Sequence, residues 1–343
     1  MRALLFSVVC ILLVTCITPY DPGISGNTPK LVVDGLITDQ PGPHQVKLTY
    51  SAAYNNDEPL IGRFINDATV RVVDNTGAQV VLQRGLPGTY DTPAGFAGEV
   101  GKRYSLLISL SDGTEYRSDP EELKFVPPID TIVGEYRELP TGFLRGEFDL
   151  SIETKDPEAA GNYYSFRWVH FEFEQWCSIS PPINFERQVV ECCENCWSIE
   201  QCVGCINILS DDFVNGAALK VPIVAVPYDS KEPYFIIVEQ RSLTHAAYQF
   251  WKNVSTQISS SGGIFDKPPV TIRGNVHNIN DENEQVLGFF GASSVASKSI
   301  HFKRNKVNKI PFGKDIKDKE LTFLPCVPCE VGAYRTTQTP PGW

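Results

Sequence analysis

Turn residues constrain this chain more than any other feature. Apolar and polar residues alternate in short runs, and each run is cut by Gly, Pro, Asn or Asp before a long helix could form. Val46, Leu48 and Tyr50 alternate with Lys47, Thr49 and Ser51. Ala68, Val70 and Val72 alternate with Thr69 and Arg71, and the Asp74-Asn75-Thr76-Gly77 turn leads to Val80-Val81-Leu82. Tyr104, Leu106, Ile108 and Leu110 follow the same rule, and Asp112-Gly113 returns the chain through Thr114 to Ser118. A period of two places alternate side chains on opposite faces, which marks half-buried strands. With Leu31 to Ile37 in front, about seven short strands at this spacing predict an immunoglobulin-like β-sandwich over residues 28–126. Pro127-Pro128 cannot continue a ladder and predicts the domain boundary.

Residues 127–343 read as a larger β-rich domain. Phe148 to Ile152, Tyr163 to Phe173, Ala218 to Val226 and Tyr234 to Gln240 are predicted strands, with further apolar segments at Val270 to Ile272 and Val286 to Phe290. The aromatics of the second run (Tyr163, Tyr164, Phe166, Trp168, Phe171, Phe173) fit a core strand better than a ligand-stacking stripe. One amphipathic helix breaks the pattern. Ser242 can cap it, and Leu243, Ala246, Ala247, Phe250, Trp251, Val254 and Ile258 recur at helical spacing before Ser259 to Gly263 ends it. The 343 residues are 42% hydrophobic and 11% aromatic, which supplies real cores and excludes global disorder. A net charge of −11 argues against nucleic acid as a partner, because phosphates require a basic surface.

The N-terminus reads as an address. Arg2 precedes the apolar run Ala3 to Val14, too short to span a bilayer and suited to a signal peptide over residues 1–15. Leu13-Val14-Thr15-Cys16 resembles the bacterial lipobox, in which the cysteine is acylated and becomes the first mature residue. Cys16 is therefore the expected lipidation site, with an ordinary signal peptide as the competing reading. Residues 16–27, with Pro19 to Gly23, read as a tether. No later apolar run reaches the roughly eighteen residues of a spanning helix.

Eight further cysteines carry the strongest chemical signal: Cys177, Cys192, Cys193, Cys196, Cys202, Cys205, Cys326 and Cys329. Six fall in a cysteine-rich insertion, residues 175–206. An exported chain meets an oxidising compartment, so structural disulfides are expected, each contributing roughly 2–4 kcal/mol. Their connectivity cannot be deduced. The adjacent Cys192 and Cys193 are expected to bond different partners. Three C-x-x-C spacings leave two alternatives open: zinc held by Cys193/Cys196 and Cys202/Cys205, or a redox-active pair.

A search for catalytic motifs finds none. The five histidines (His44, His170, His245, His277, His301) lack the zinc-protease spacing, and there is no G-x-S-x-G elbow or phosphate-binding loop. Glu172/Glu174 and Asp211/Asp212 are carboxylate neighbours of the kind any acidic chain contains. Asp281-Glu282-Asn283-Glu284 reads as a solvated turn and not a calcium loop. No catalytic residue, metal or cofactor is expected.

Several passages together resemble one family. They are Cys16, LVVDGLITDQPGPHQVKLTYSAAY (Leu31 to Tyr54), RSLTHAAYQFWKNV (Arg241 to Val254), GGIFDKPPVTIRGNV (Gly262 to Val276), VLGFF (Val286 to Phe290), Cys326-Val327-Pro328-Cys329 and the terminal Pro340-Pro341-Gly342-Trp343. The chain is similar to the Bacteroidota outer-membrane lipoproteins grouped as domain of unknown function 4249. The resemblance implies a lipid-anchored outer-membrane protein, on the periplasmic or the cell-surface face, often encoded beside a TonB-dependent receptor. It implies no catalytic residues. Asp130-Thr131-Ile132 matches an O-glycosylation pattern of some envelope proteins of that phylum, which makes Thr131 a glycosylation candidate. The first expectation is a non-catalytic accessory or ligand-binding subunit of a TonB-dependent transport system. A structural or adhesive surface lipoprotein and an envelope hydrolase are the alternatives.

Overall fold

A computed structural model describes residues 29–52, 63–140, 146–178, 191–212, 214–229, 231, 233–260, 272–307, 329 and 331–343. Of residues 174–178 and 191–194 only the backbone is described. The expected signal peptide (residues 1–15), Cys16, the expected tether and Cys326 lie outside these residues.

In chain order the strands are β1 (Leu31–Thr38), β2 (Gln45–Tyr50), β3 (Arg63–Phe64), β4 (Thr69–Asp74), β5 (Gln79–Val81), β6 (Gln83–Arg84), β7 (Thr89–Asp91), β8 (Arg103–Ser109), β9 (Glu115–Ser118), β10 (Glu121–Glu122), β11 (Ile129–Glu138), β12 (Gly146–Lys155), β13 (Tyr163–Ser178), β14 (Glu191–Gln201), β15 (Asn207–Ser210), β16 (Ala218–Pro227), β17 (Tyr234–Leu243), β18 (Val276–Asn278), β19 (Leu287–Ser293), β20 (Val295–Phe302) and β21 (Arg335–Thr336). The one described helix, α1, spans His245–Ser259. The molecule is mainly β, as the turn spacing predicts.

Four sheets form two sandwiches. The first pairs the sheet β19-β1-β2-β7-β6, with β3 on β2, against β18-β9-β8-β4-β5, with β10 on β8. Its core is mostly aliphatic: Leu31, Val33, Ile37 and Leu48 from one sheet meet Val70, Leu106 and Ile108 from the other. The immunoglobulin-like sandwich expected over residues 28–126 is present, but it is not continuous in sequence. A boundary at Pro127-Pro128 places everything after it in the second domain, whereas β18 pairs with β9 and β19 with β1. The β1–β19 pairing is parallel, alone among the described strand pairs. The junction is tight. Gly288 has φ of +89°, and a Cβ there would lie 1.9 Å from the Val33 carbonyl oxygen, so only glycine lets β19 lie against β1.

The second sandwich packs the three strands β11-β12-β16 against β20-β17-β13-β14-β21, with β15 also on β13. Its core sets a group of aromatic rings among aliphatic side chains. Phe148 meets Tyr136, Tyr228 and Phe302 edge-on, with ring centroids 5.3, 5.7 and 5.1 Å away. Tyr164 and Phe166, fully buried, confirm the core-strand reading of that run. Phe173, 40% exposed, lies outside it.

The helix starts two residues later than Ser242 would place it. The N-cap is Thr244, whose Oγ1 accepts from the Ala247 N–H at 3.1 Å. Ser242 is still in β17, where its Oγ donates to the Lys124 carbonyl (2.6 Å) and accepts from the Ser294 N–H (2.9 Å).

Candidate functional site

The sandwiches meet across α1. Ala247 packs with Leu243 of β17 and Phe289 of β19, and Tyr163, Ile208, Tyr248 and Phe250 surround them. Beside this seam lies a cleft of about 200 Å³. Period-two alternation builds both of its walls. On β13, Tyr164 and Phe166 point into the second core, so Ser165 and Arg167 point out. On β1, Val33 and Gly35 are buried in the first core, so Asp34 and Leu36 line the cleft from the other side. Phe289 and Trp251 provide an apolar floor, and Arg241 of β17 completes the polar rim.

The charges on this rim are unevenly satisfied. Glu239 stands opposite Arg167 in the β13–β17 ladder. Its carboxylate is nevertheless taken by Arg241, whose Nη2 and Nε donate to Glu239 Oε2 at 2.6 and 3.1 Å. Arg167 forms no ion pair within 4.0 Å among the described residues. Loss of water in the cleft, and then the neighbouring Arg241 charge, pull its guanidinium below the ordinary value, while Asp34 and Glu239 oppose the shift. It stays cationic throughout the physiological range. Asp34 also has no ion pair among the described residues. Its register partner Lys47 turns away, with Nζ 5.8 Å from the Phe64 ring centre.

A second polar pocket, about 150 Å³, opens between β13, β14, β16 and β17. His170 lies parallel to the Tyr234 ring at 3.5 Å, with Nδ1 2.8 Å from the Phe235 carbonyl oxygen. Arg304, almost fully buried, donates to Asp229 at 2.7 Å and to the Pro227 carbonyl at 3.1 Å. Burial is the main reason the Tyr234 hydroxyl is pushed up. Glu172 and Glu200 line the same space, Glu200 sitting opposite His170 in the β13–β14 ladder. The sequence pairs Glu172 with Glu174. The ladder instead brings Glu172 into one pocket with Glu200, which no spacing along the chain could reveal.

The described part of the cysteine-rich insertion includes a β-ribbon formed by the end of β13 and by β14. Cys177 and Cys192 face each other in its backbone register. Cys196, buried in β14, is disulfide-bonded to Cys329, and Cys202 to Cys205. The first bond ties the C-terminal tail to the ribbon. β21 then adds to β14 through Trp197 and Ser198, and Trp343 packs against His301 (4.9 Å), Phe235 (5.2 Å) and Trp197 (5.9 Å). The side chains of Cys177, Cys192 and Cys193 lie outside the described residues.

The other sequence candidates separate. Thr131 sits half-buried on β11 opposite Glu153, next to the irregularity at Asp130. Asp211 is buried and accepts from the Gly161 N–H at 3.3 Å, while Asp212 is exposed. Residues 281–284 form a turn with internal bonds, including Asn283 N–H to Asp281 at 3.0 Å, and Glu284 accepts from the Tyr116 hydroxyl at 2.8 Å. Among the described residues no three His, Cys, Asp or Glu side chains cluster as a metal site. No described helix is long and apolar enough to cross a membrane.

Sequence comparison adds one match. The model of a family described as "Domain of unknown function (DUF4249)" matches residues 17–299, a span that takes in the first sandwich, the cleft, and the second sandwich except the end of β20 and β21. No curated protein matches the chain.

Proposed function

The chain belongs to the DUF4249 family, and from that premise we propose that it is a Bacteroidota lipoprotein, anchored to the outer membrane through Cys16, that serves without catalysis as an accessory or ligand-binding subunit of a TonB-dependent transport system. The anchor rests on the apolar run Ala3 to Val14 followed by Leu13-Val14-Thr15-Cys16. The transporter partnership rests on the likeness to that lipoprotein family. The observation that carries the binding role is the cleft at the seam of the two sandwiches, where apolar floor and charged rim converge. Pockets of that kind are typical ligand sites. Affinity purification of the tagged chain from detergent-solubilised outer membranes is expected to recover a β-barrel transporter. Recovery of the lipoprotein alone counts against the proposal.

A structural or adhesive role needs no cleft, so a spacer protein should tolerate substitutions there without loss of transport. The hydrolase alternative has one observation in its favour, the pocket that gathers His170, Glu172 and Glu200. Loss of a measured ester- or glycoside-cleaving activity in His170→Ala would favour it. Absence of any such activity in the wild-type chain would remove it.

A further inference from the structure

We propose that the cleft between the sandwiches binds a small zwitterion with an apolar side chain, an aromatic or branched α-amino acid, with Arg167 holding the carboxylate and Asp34 the ammonium. This deepens the ligand-binding reading above and rests on it.

The argument starts from unspent charge. Glu239 is the carboxylate nearest Arg167 in the ladder, and Arg241 engages it with two donors. On the opposite wall Asp34 is exposed and its ladder neighbour Lys47 lies over Phe64. Arg167 and Asp34 line one cavity, close enough for Asp34 to act on the Arg167 charge, yet they are not joined as an ion pair. Held on two different sandwiches, they present a fixed positive and a fixed negative end to whatever enters. A guanidinium matches the planar fork of a carboxylate, and a carboxylate accepts from an ammonium.

Size and polarity decide the rest. A cavity of about 150 Å³ accepts benzene. At about 200 Å³ this cleft takes one ring or a branched aliphatic group, with charged ends at the rim. Phe289 is buried, and half-buried Trp251 lines the same cleft. An apolar side chain laid there leaves water, whereas glycine would gain nothing from the floor. A simple anion would satisfy Arg167 and face Asp34 with like charge. A simple amine would do the reverse.

Isothermal titration of the purified full chain in detergent tests this with L-phenylalanine, L-leucine, glycine, 3-phenylpropionate and 2-phenylethylamine. L-Phenylalanine or L-leucine is expected to bind. Glycine, 3-phenylpropionate and 2-phenylethylamine are each expected to bind at least tenfold more weakly, about 1.4 kcal/mol. Arg167→Met is expected to lose at least tenfold for the amino acid. Asp34→Asn should bring L-phenylalanine and 3-phenylpropionate to similar affinity. Circular dichroism melting controls for folding, and neither side chain belongs to a hydrophobic core, so the variants should melt as the wild type does. No binding of either amino acid overturns the proposal, as does unchanged binding in both variants. Co-purification of a β-barrel is scored separately, so an empty cleft with a retained barrel removes this ligand and leaves the accessory role standing.

Discussion

The two sandwiches solve the same problem with different means. The first uses short strands, a largely aliphatic core and no described disulfide, and it reaches across the sequence for β18 and β19 to complete its sheets. The second is built around six strands of ten residues and more (β11–β14, β16 and β17), a cluster of edge-on aromatic rings, and a tail stapled to β14 through Cys196 and Cys329. The first is held by partners far away in the chain. The second is held by large rings and a covalent tie. The seam where they meet takes one wall from each, so the larger of the two clefts described above arises between the units and belongs to neither alone.

Four measurements would break or sharpen this contrast. The largest effect is expected from Phe148→Ala, which removes the ring that three others touch. A loss of about 3–5 kcal/mol in chemical denaturation is expected, confined to the second sandwich when followed by hydrogen exchange. Equal loss of protection in both units would mean that the contrast is false and the molecule unfolds as one.

Next comes the seam. Glu121 of β10 is buried, accepts from the Thr244 hydroxyl at 2.6 Å, and is pushed up to about 7, first by burial and then by Asp119. Thr244 and Asn275 oppose the shift by donating to it. The folded state therefore favours the neutral acid. That stability is fully present below the unfolded value near 4.5 and is lost as pH rises through about 7, on the order of 3 kcal/mol in all. Glu121→Gln keeps a neutral group, so it should exceed the wild type in melting temperature at pH 8 and lose that advantage at pH 4. A pH-independent difference would show that the carboxyl does not titrate at the seam.

Cys329→Ser should cost about 2 kcal/mol and open the tail to proteolysis at residues 331–343, leaving the first sandwich untouched. Resistance of the tail to protease would show that β21 and Trp343 hold without the staple.

The smallest effect has the opposite sign. Gln240 is fully buried in β17, and neither amide atom has a partner among the described residues. Gln240→Met should raise stability by about 1 kcal/mol. A loss would mean that the amide is satisfied, by water for example.

Much of this architecture was legible in the alternation of residues such as Val70/Val72 and Leu106/Ile108, because period two is a local property. Strand β14 was not. Glu-Cys-Cys-Glu-Asn-Cys-Trp carries no apolar alternation, and it is a strand because β13 offers it a ladder. The choice of Thr244 over Ser242 as cap was equally hidden, since both have the needed hydroxyl and only the folded neighbours Lys124 and Ser294 claim one of them. No motif in the sequence singles out Arg167 or Asp34. Their meeting depends on how two sheets pack, which residue spacing does not encode.

The parallel strand pair has a consequence in time. Asp39, just after β1, accepts from the N–H of Val295, 256 residues later, at 2.9 Å. At roughly 5–20 residues per second, the ribosome needs more than about ten seconds to make the segment that β1 must wait for. Until then the first-made strand has an open edge of the kind that invites wrong partners. A chain wired this way keeps one edge of β1 open until β19 has been made, so the first sandwich closes only when most of the second has already been synthesised.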